Sequence, residues 1–182
     1  TIFALPFAII GYFLAITFTP AKFDIKLFGL VLLCMVFARS AAMGFNRFID
    51  RNIDAENART AGREIPAGIV KPMSALFFVI INCLAFIATT FFINTLCFYL
   101  SPIALAVILG YSLTKRFTAL CHLILGIGLS LAPIGAYLAV TGEFAWLPLF
   151  FSFAVLFWVS GFDIIYALQD EEFDKSKNLK SI

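Results

Sequence analysis

Six apolar stretches, each about the length needed to cross a lipid bilayer, dominate this chain of 182 residues. A helix needs about 20 apolar residues to cross a hydrocarbon core of about 30 Å, and only helices and closed barrels satisfy their backbone hydrogen bonds there. The stretches lack the alternation of barrel strands, so they predict helices. The sequence therefore predicts an all-α fold, a polytopic transmembrane helical bundle in which residues 1–182 form a single domain. We place the spans at about residues 2–19, 26–45, 73–93, 95–113, 120–140 and 145–166.

The composition excludes an ordinary soluble domain. Hydrophobic residues make up 62% of the chain and charged residues only 13%, whereas soluble domains are about one quarter charged. The four cysteines stand singly in apolar runs and are interpreted as small buried hydrophobic residues. The single histidine, His122, begins an apolar stretch, and a packing or interfacial role is favoured over metal binding because its neighbours supply no further ligand.

Basic residues are concentrated on one side of the predicted bundle. Alternating the spans puts residues 46–72, 114–119 and 167–182 on that side, and the other side carries only Lys22 and Lys26. Cytoplasmic segments are enriched in Lys and Arg, so this side is predicted to be cytoplasmic and the protein to be integral to a membrane, the inner membrane if the source is bacterial. The basic residues of this side are Arg47, Arg51, Arg59, Arg63, Lys71, Lys115, Arg116, Lys175, Lys177 and Lys180.

The first acidic cluster follows the second span, in the segment GFNRFIDRNIDAENART. Asn46, Asp50 and Asp54 are spaced four residues apart, so on a helix their side chains share one face. Their oxygens could converge on a hard cation, and Mg²⁺ prefers a few carboxylates together with substrate phosphate oxygens. The alternative is a solvated helix end in which the two aspartates pair with Arg47 and Arg51.

A second acidic cluster follows the sixth span, in the segment GFDIIYALQDEEFDKSKN. Asp170 and Asp174 again stand four residues apart, on the same predicted side of the membrane. Two such clusters would repel each other unless positive charge lay between them. Divalent cations that bridge a diphosphate would supply that charge and stabilise a departing phosphate. Two unrelated acidic loops are the alternative.

Several other polar residues could face the same pocket. Tyr111 and Lys115 lie four residues apart at the end of the fourth span, and basic side chains form strong hydrogen bonds with phosphate. Arg39 and Asp163 lie deeper, about two turns inside the second and sixth spans, where ionisable residues are costly and expected to face a polar cavity. An Arg39–Asp163 ion pair is the structural alternative to substrate binding. For Arg116, positive charge that sets the topology is the favoured interpretation.

The chain has no Walker loop, GxGxxG turn, HExxH motif or serine nucleophile elbow. The nearest glycine pattern, Gly126 and Gly128, is embedded in an apolar span, where glycines allow close helix packing. The energy for any reaction is therefore expected to come from the substrate.

Together, these motifs resemble those of the UbiA-type intramembrane aromatic prenyltransferases, and most closely the 4-hydroxybenzoate polyprenyltransferase branch. The resemblance rests on the segments TIFALPFAIIGY, ARSAAMGFNRFIDRNIDAENARTAGREIPAG and GFDIIYALQDEEFD. It implies a nine-helix fold around a cavity open to lipid, of which six helices are present here and the last three are missing.

The resemblance also implies roles for individual residues. By this comparison the metal site consists of Asn46, Asp50, Asp54, Asp170 and Asp174, and the cofactor is Mg²⁺. The predicted substrate-binding residues are Asn46, Arg39, Asn57, Arg59, Arg63, Tyr111 and Lys115. Arg39 would pair with the acceptor carboxylate. Asp163, predicted to be catalytic with the four metal-binding aspartates, would orient the acceptor or accept its proton.

The implied reaction is transfer of a polyprenyl group from a polyprenyl diphosphate to the ring of 4-hydroxybenzoate or a similar aromatic acid, in ubiquinone or menaquinone biosynthesis. The expected partners are these two substrates and membrane lipid, without nucleic acid, and the oligomeric state is left open. Alternative acceptors are a naphthoate, haem or a glycerol phosphate lipid. A membrane transporter that uses Arg39 and Asp163 as pathway residues is the alternative from another class.

Overall fold

The computed structural model describes residues 3–177, 179 and 180, and in this part of the chain all regular structure is helical. The all-α prediction is therefore confirmed. Among the described residues, five helices are long and apolar enough to cross a membrane, and a sixth apolar helix, the first in the chain, is shorter. The helices are α1 (Leu5–Phe18), α2 (Ile25–Ile49), α3 (Arg51–Glu56), α4 (Pro72–Phe91), α5 (Thr95–Thr114), α6 (Cys121–Thr141), α7 (Trp146–Ala167) and α8 (Glu171–Ser176), with a 3₁₀ turn at Leu168–Asp170 between the last two.

Helix α1 has 14 residues, fewer than the stretch 2–19 predicted from hydropathy. It ends at Phe18 because Thr19 adopts an extended backbone (φ −132°, ψ 168°). Pro20 follows, and proline disfavours the helical conformation in the residue before it. Residue 2 lies outside the described residues. At 1.5 Å per residue, α1 is about 21 Å long, shorter than a hydrocarbon core.

Asparagine and aspartate side chains cap the starts of α2 and α5. Asp24 accepts hydrogen bonds from the backbone N–H groups of Lys26 and Leu27, at 2.8 and 3.3 Å. The Asn94 side chain accepts from Cys97 N at 2.8 Å, and its amide donates to the Leu138 carbonyl at 2.9 Å. The cap of α5 thus also ties α5 to the end of α6.

Helix α6 is the centre of the bundle and packs against α1, α5 and α7. Two glycines allow the closest approaches. A Cβ at Gly11 of α1 would lie 2.1 Å from the Pro133 carbonyl oxygen of α6, and a Cβ at Gly126 would lie 2.3 Å from Ser160 Oγ and 2.6 Å from the Leu156 carbonyl oxygen of α7. The close-packing interpretation is confirmed for Gly126. It is wrong for Gly128, where a Cβ would meet nothing within 4 Å because this residue borders a cavity.

The outer surface of the bundle is rich in large apolar side chains. Phe77, Phe150, Phe157 and Trp158 are all more than half exposed. In water such a surface would promote aggregation, whereas lipid solvates it. The helices therefore direct many of their large aromatic side chains toward lipid.

Replacing Gly11 with alanine should destabilise the bundle, because the new methyl group would overlap backbone atoms of Pro133. Overpacking of this kind costs about 1–3 kcal/mol. We expect Gly11→Ala to lower the thermal midpoint of the detergent-solubilised protein. Gly29→Ala is the matched control, since a Cβ there meets nothing within 4 Å. Equal midpoints for both variants would contradict the close packing of α1 and α6.

Candidate functional site

A polar cavity of about 450 Å³ lies where α2, α5 and α7 end and α6 begins. All twelve residues that the sequence predicts to be catalytic, to bind substrate or to bind metal line this cavity. The structure therefore brings the two acidic clusters to one cavity. These residues are Arg39, Asn46, Asp50, Asp54, Asn57, Arg59, Arg63, Tyr111, Lys115, Asp163, Asp170 and Asp174.

The first acidic cluster lies at the junction of α2 and α3. Helix α2 continues past the apolar stretch to Ile49, so Asn46 is helical and its side-chain amide donates to Asp50 Oδ2 at 3.1 Å. Asp50 ends the helix, and the Asp54 backbone N–H still bonds to the Asp50 carbonyl at 2.7 Å. The predicted common face of Asn46, Asp50 and Asp54 thus persists across the junction, because the backbone stays near-helical there.

Asp54 is buried and is held by Arg63. Arg63 Nη1 donates to both carboxylate oxygens of Asp54, at 2.6 and 2.8 Å. The Thr60 hydroxyl donates to the Asp54 carbonyl at 3.0 Å, which fastens the loop after α3 against this residue. The alternative pairing of Asp54 with Arg51 is wrong, since Arg51 instead donates to the Phe48 carbonyl at 2.6 Å.

Asp50 pairs with Arg116, a residue interpreted from the sequence only as topology-setting charge. Arg116 Nη2 donates to Asp50 Oδ1 at 3.2 Å and to the Ile49 carbonyl at 2.9 Å. Burial raises the pKa of the Asp50 carboxyl above its ordinary value, and the hydrogen bond from Arg116 only partly offsets this effect. Arg116 therefore belongs to the lining of the polar cavity.

Asp170 connects the second acidic cluster to the loop after α3. Arg59 Nε donates to Asp170 Oδ1 at 2.9 Å, a second Arg59 nitrogen pairs with Oδ2, and the Asn57 amide donates to Oδ1 at 3.0 Å. The hydrogen bond from Arg59 is the main reason that the pKa of Asp170 is lowered. Arg59 also donates to the Tyr166 hydroxyl at 3.2 Å and lies over that ring.

Asp174 is buried in α8 and pairs with Lys115 at the end of α5. Lys115 Nζ lies 3.0 Å from Asp174 Oδ1. The backbone reinforces this contact, because Lys180 N donates to the Lys115 carbonyl at 2.8 Å and Leu179 N to the Asp174 carbonyl at 3.0 Å. Tyr111, one turn before Lys115, lines the same cavity, as its spacing predicted.

Each of the four aspartates is thus held by a different basic side chain. Within residues 3–177, 179 and 180, no group of three or more His, Cys, Asp or Glu side chains is close enough to hold a metal ion. The carboxylates face one cavity but are separated by their basic partners. Oxygen ligands suit Mg²⁺. The donor chemistry therefore fits a magnesium ion, provided that the carboxylates exchange their basic partners for metal.

A third ionisable pair lies deeper in the cavity. His122 Nδ1 is 2.7 Å from Asp163 Oδ2. The alternative Arg39–Asp163 ion pair is not formed, and in the described part of the chain Arg39 pairs with no carboxylate. The packing interpretation of His122 was incomplete, because this buried ring contacts an ionisable residue of the cavity. The sequence did contain a signal for this contact: His122 is a polar residue at the start of an apolar span, on the same side as the acidic clusters.

A second, apolar cavity of about 160 Å³ continues inward from the polar one. Arg39 and Tyr111 line both cavities and mark their boundary. Beyond them the walls come from α1, α2, α4, α5 and α6 and are mostly apolar. The site therefore combines a charged mouth with an apolar interior.

Comparisons with known proteins agree with this architecture. The chain matches the model of the UbiA prenyltransferase family over residues 4–182. It is 37% identical over 155 residues to the 4-hydroxybenzoate octaprenyltransferase of Aliivibrio salmonicida, covering 82% of this chain and 53% of that protein. It is 34% identical over 162 residues to the protein of that name from Acinetobacter baylyi, covering 87% and 54%. The chain spans about half the length of the curated relatives it matches.

Solved structures share the fold. The apo structure of a UbiA homologue from Aeropyrum pernix K1 matches with a TM-score of 0.90 and 35% identity, covering 100% of this chain and 67% of that one. A UbiA homologue from Archaeoglobus fulgidus, bound to GPP and Mg²⁺, matches with a TM-score of 0.74 and 24% identity, covering 98% and 62%. At 24% identity, the match to the Archaeoglobus fulgidus structure shows only a shared fold.

The opposite pKa shifts of Asp50 and Asp170 predict opposite effects of neutralising them. A raised pKa means that ionised Asp50 destabilises the fold at pH 7, a cost that disappears below the unfolded-state pKa of about 4. Without divalent cations, Asp50→Asn should therefore raise the thermal midpoint at pH 7, and this gain should vanish near pH 4. Asp170→Asn should lower the midpoint at pH 7, since its lowered pKa stabilises the fold above the unfolded pKa. Shifts of the same sign would contradict the described pairing.

Proposed function

The chain belongs to the UbiA prenyltransferase family, and from that premise we propose that it transfers a polyprenyl group from a polyprenyl diphosphate to the ring of 4-hydroxybenzoate or a similar aromatic acid. One observation carries this proposal: the polar cavity, lined by four aspartates and their basic partners, adjoins the apolar cavity. A polyprenyl diphosphate has the same division, with a charged head and an apolar chain. Ubiquinone or menaquinone biosynthesis would use such a product.

The two acidic clusters are the proposed metal site. Asn46, Asp50 and Asp54 from one side of the cavity, with Asp170 and Asp174 from the other, would hold Mg²⁺ through oxygen atoms. When bound, magnesium supplies positive charge that stabilises the negative charge developing on the departing diphosphate.

The basic partners would turn to the diphosphate when substrate binds. Arg59, Arg63 and Lys115 now neutralise aspartates, and they can donate equally well to phosphate oxygens, which bind such groups in strong charge-assisted hydrogen bonds. Asn57 and the Tyr111 hydroxyl would add neutral donors. This exchange leaves none of the charges unpaired, because each carboxylate would gain cationic charge as its basic partner moves to the phosphates.

The acceptor would bind deeper than the diphosphate. Arg39, at the boundary of the two cavities, is the proposed partner of the acceptor carboxylate. The allylic carbon–oxygen bond breaks toward a carbocation, and the diphosphate leaves with the electron pair. The ring carbon ortho to the phenol hydroxyl attacks this carbon, and a base removes the ring proton. Asp163 would orient the acceptor or accept its proton, and the apolar walls would exclude water.

The membrane orientation is part of the proposal. The polar cavity lies on the side that carries ten Lys and Arg residues against two on the other. By the positive-inside rule the cavity would face the cytoplasm. The relatives named 4-hydroxybenzoate octaprenyltransferase are bacterial proteins, which supports the inner membrane as the location.

Removing one aspartate from either cluster should abolish magnesium-dependent transfer. We expect Asp50→Ala and Asp170→Ala each to reduce product formation by at least about a hundredfold. Removing one preorganised group that stabilises charge in a transition state has an effect of this size in other enzymes. Membranes containing the complete natural polypeptide would be incubated with labelled polyprenyl diphosphate, with and without chelator.

The acceptors in this assay would be 4-hydroxybenzoate, a dihydroxynaphthoate, haem and a glycerol phosphate lipid. Glu171→Ala is the matched control, since Glu171 is exposed, pairs with Lys175 and does not line the polar cavity. Near-native activity of either aspartate variant would refute the proposed metal site. A product with haem or the glycerol phosphate lipid only would refute an aromatic acid as the acceptor.

Replacing Arg39 with lysine should separate acceptor binding from donor binding. Lysine keeps the charge but loses the bidentate geometry that fits a carboxylate. We expect the KM of the aromatic acid to rise by roughly tenfold, which corresponds to a loss of about 1.4 kcal/mol of binding free energy. The KM of the donor should change less than twofold. A larger rise in the donor KM would instead assign Arg39 to the diphosphate.

A further inference from the structure

The His122–Asp163 pair links the first turn of α6 to the last two turns of α7. His122 is 4% exposed, whereas the Asp163 side chain is 33% exposed, and both residues line the polar cavity. The imidazole is thus buried and the carboxylate is partly accessible. The Nδ1–H group of the ring can donate to one Asp163 oxygen and so restrict the orientation of the carboxylate.

The close packing of α6 and α7 determines this contact. Gly126 lies one turn after His122, and it is the position where a side chain would overlap Ser160 and the Leu156 carbonyl. Ser160 lies one turn before Asp163. Because the two helices approach this closely beside the pair, His122 and Asp163 meet at 2.7 Å.

The pair is one of several contacts between these helices. A hydrogen-bonded pair with one partly exposed partner adds little net stability, because desolvation offsets most of the attraction between the two groups. The contact at Gly126 already packs the helices tightly. An ionisable residue in an apolar helix is costly in itself, so its presence points to a function.

The depth of Asp163 assigns the pair to the acceptor side of the site. Asp163 precedes Asp170 by seven residues, which is about 10 Å along a helix and nearly two turns, so both residues face the same cavity. A group this far below the aspartates proposed for the metal would lie beyond a diphosphate bound there, near the level of Arg39.

We propose that His122 is a positioning residue, which holds one oxygen of Asp163 so that the other is directed at the hydroxyl of a phenolic acceptor. This inference rests on the proposed function and refines its acceptor site. It assigns no proton transfer to His122 itself. Misplacing a reacting or orienting group by about 1 Å can reduce turnover by up to roughly a hundredfold.

The test is a set of variants of the complete natural polypeptide, assayed with labelled donor and varied acceptor. His122→Leu removes the donor group, and His122→Asn retains an N–H group near the position of Nδ1. We expect His122→Leu to lower kcat/KM for the acceptor by roughly tenfold to a hundredfold, with the donor KM changed less than twofold, and His122→Asn to restore most of this loss. In an Asp163→Asn background, His122→Leu should cause no further loss.

Equal losses from His122→Leu in both backgrounds, a raised donor KM, or wild-type kinetics would overturn the inference. Size-exclusion chromatography would check folding. If His122→Leu does not fold, the comparison of His122→Asn with His122→Gln tests the inference. Asparagine places an N–H group near the position of Nδ1, whereas glutamine places its amide near that of Nε2. Retained activity in the asparagine variant alone supports the inference, and equal activity of the two overturns it. An inactive wild-type protein would instead refute the proposed function.

Discussion

Neutralisation of four carboxylates at the mouth of one cavity is the constraint on which the functional end of this bundle depends. Asp50 is held by Arg116 after α5, Asp54 by Arg63 in the loop after α3, Asp170 by Arg59 of the same loop, and Asp174 by Lys115 at the end of α5. These pairs connect the ends of α2, α5 and α7 with the long loop between α3 and α4. Two of these ion pairs, made by Arg59 and Arg63, hold the loop against the cavity.

Such pairs are well suited to exchange. An ion pair that is partly exposed contributes little net stability, so replacing one partner with another of the same charge costs little. The helical scaffold beneath does not depend on them, since α6 packs against α1 and α7 through Gly11 and Gly126 and against α5 through the Asn94 cap. Close helix packing thus sets the cavity, and the charged side chains around it are the part that would change partners in the proposed exchange.

The sequence predicted the all-α fold because hydropathy and the length of an apolar stretch are local properties. The helix ends differ from the ends of the apolar stretches: α1 stops at Phe18 before Pro20, and α2 continues to Ile49, since hydropathy reports the apolar stretch and not the end of the helix. The spacing of Asn46, Asp50 and Asp54 also predicted their common face. The partners of the acids could not be predicted in this way. Arg116 and His122 contact Asp50 and Asp163 from 66 and 41 residues away, and only the packing of the helices determines such contacts.

The distribution of charge with depth would suit an amphipathic substrate such as the proposed polyprenyl diphosphate. Ionisable residues are cheapest near helix ends, where water reaches them, and the four paired aspartates all lie there. Arg39, Asp163 and His122 are deeper, where each charge costs more, and beyond Arg39 and Tyr111 the lining becomes apolar. A charged head bound at the mouth would therefore direct its chain inward or toward lipid, and the reacting carbon would lie at the boundary. Polar side chains at this depth are costly unless they act on a ligand. Arg39 and Tyr111 lie at the boundary, and the His122–Asp163 pair lies on the polar side of it, so these are the groups that would act on the reacting atoms.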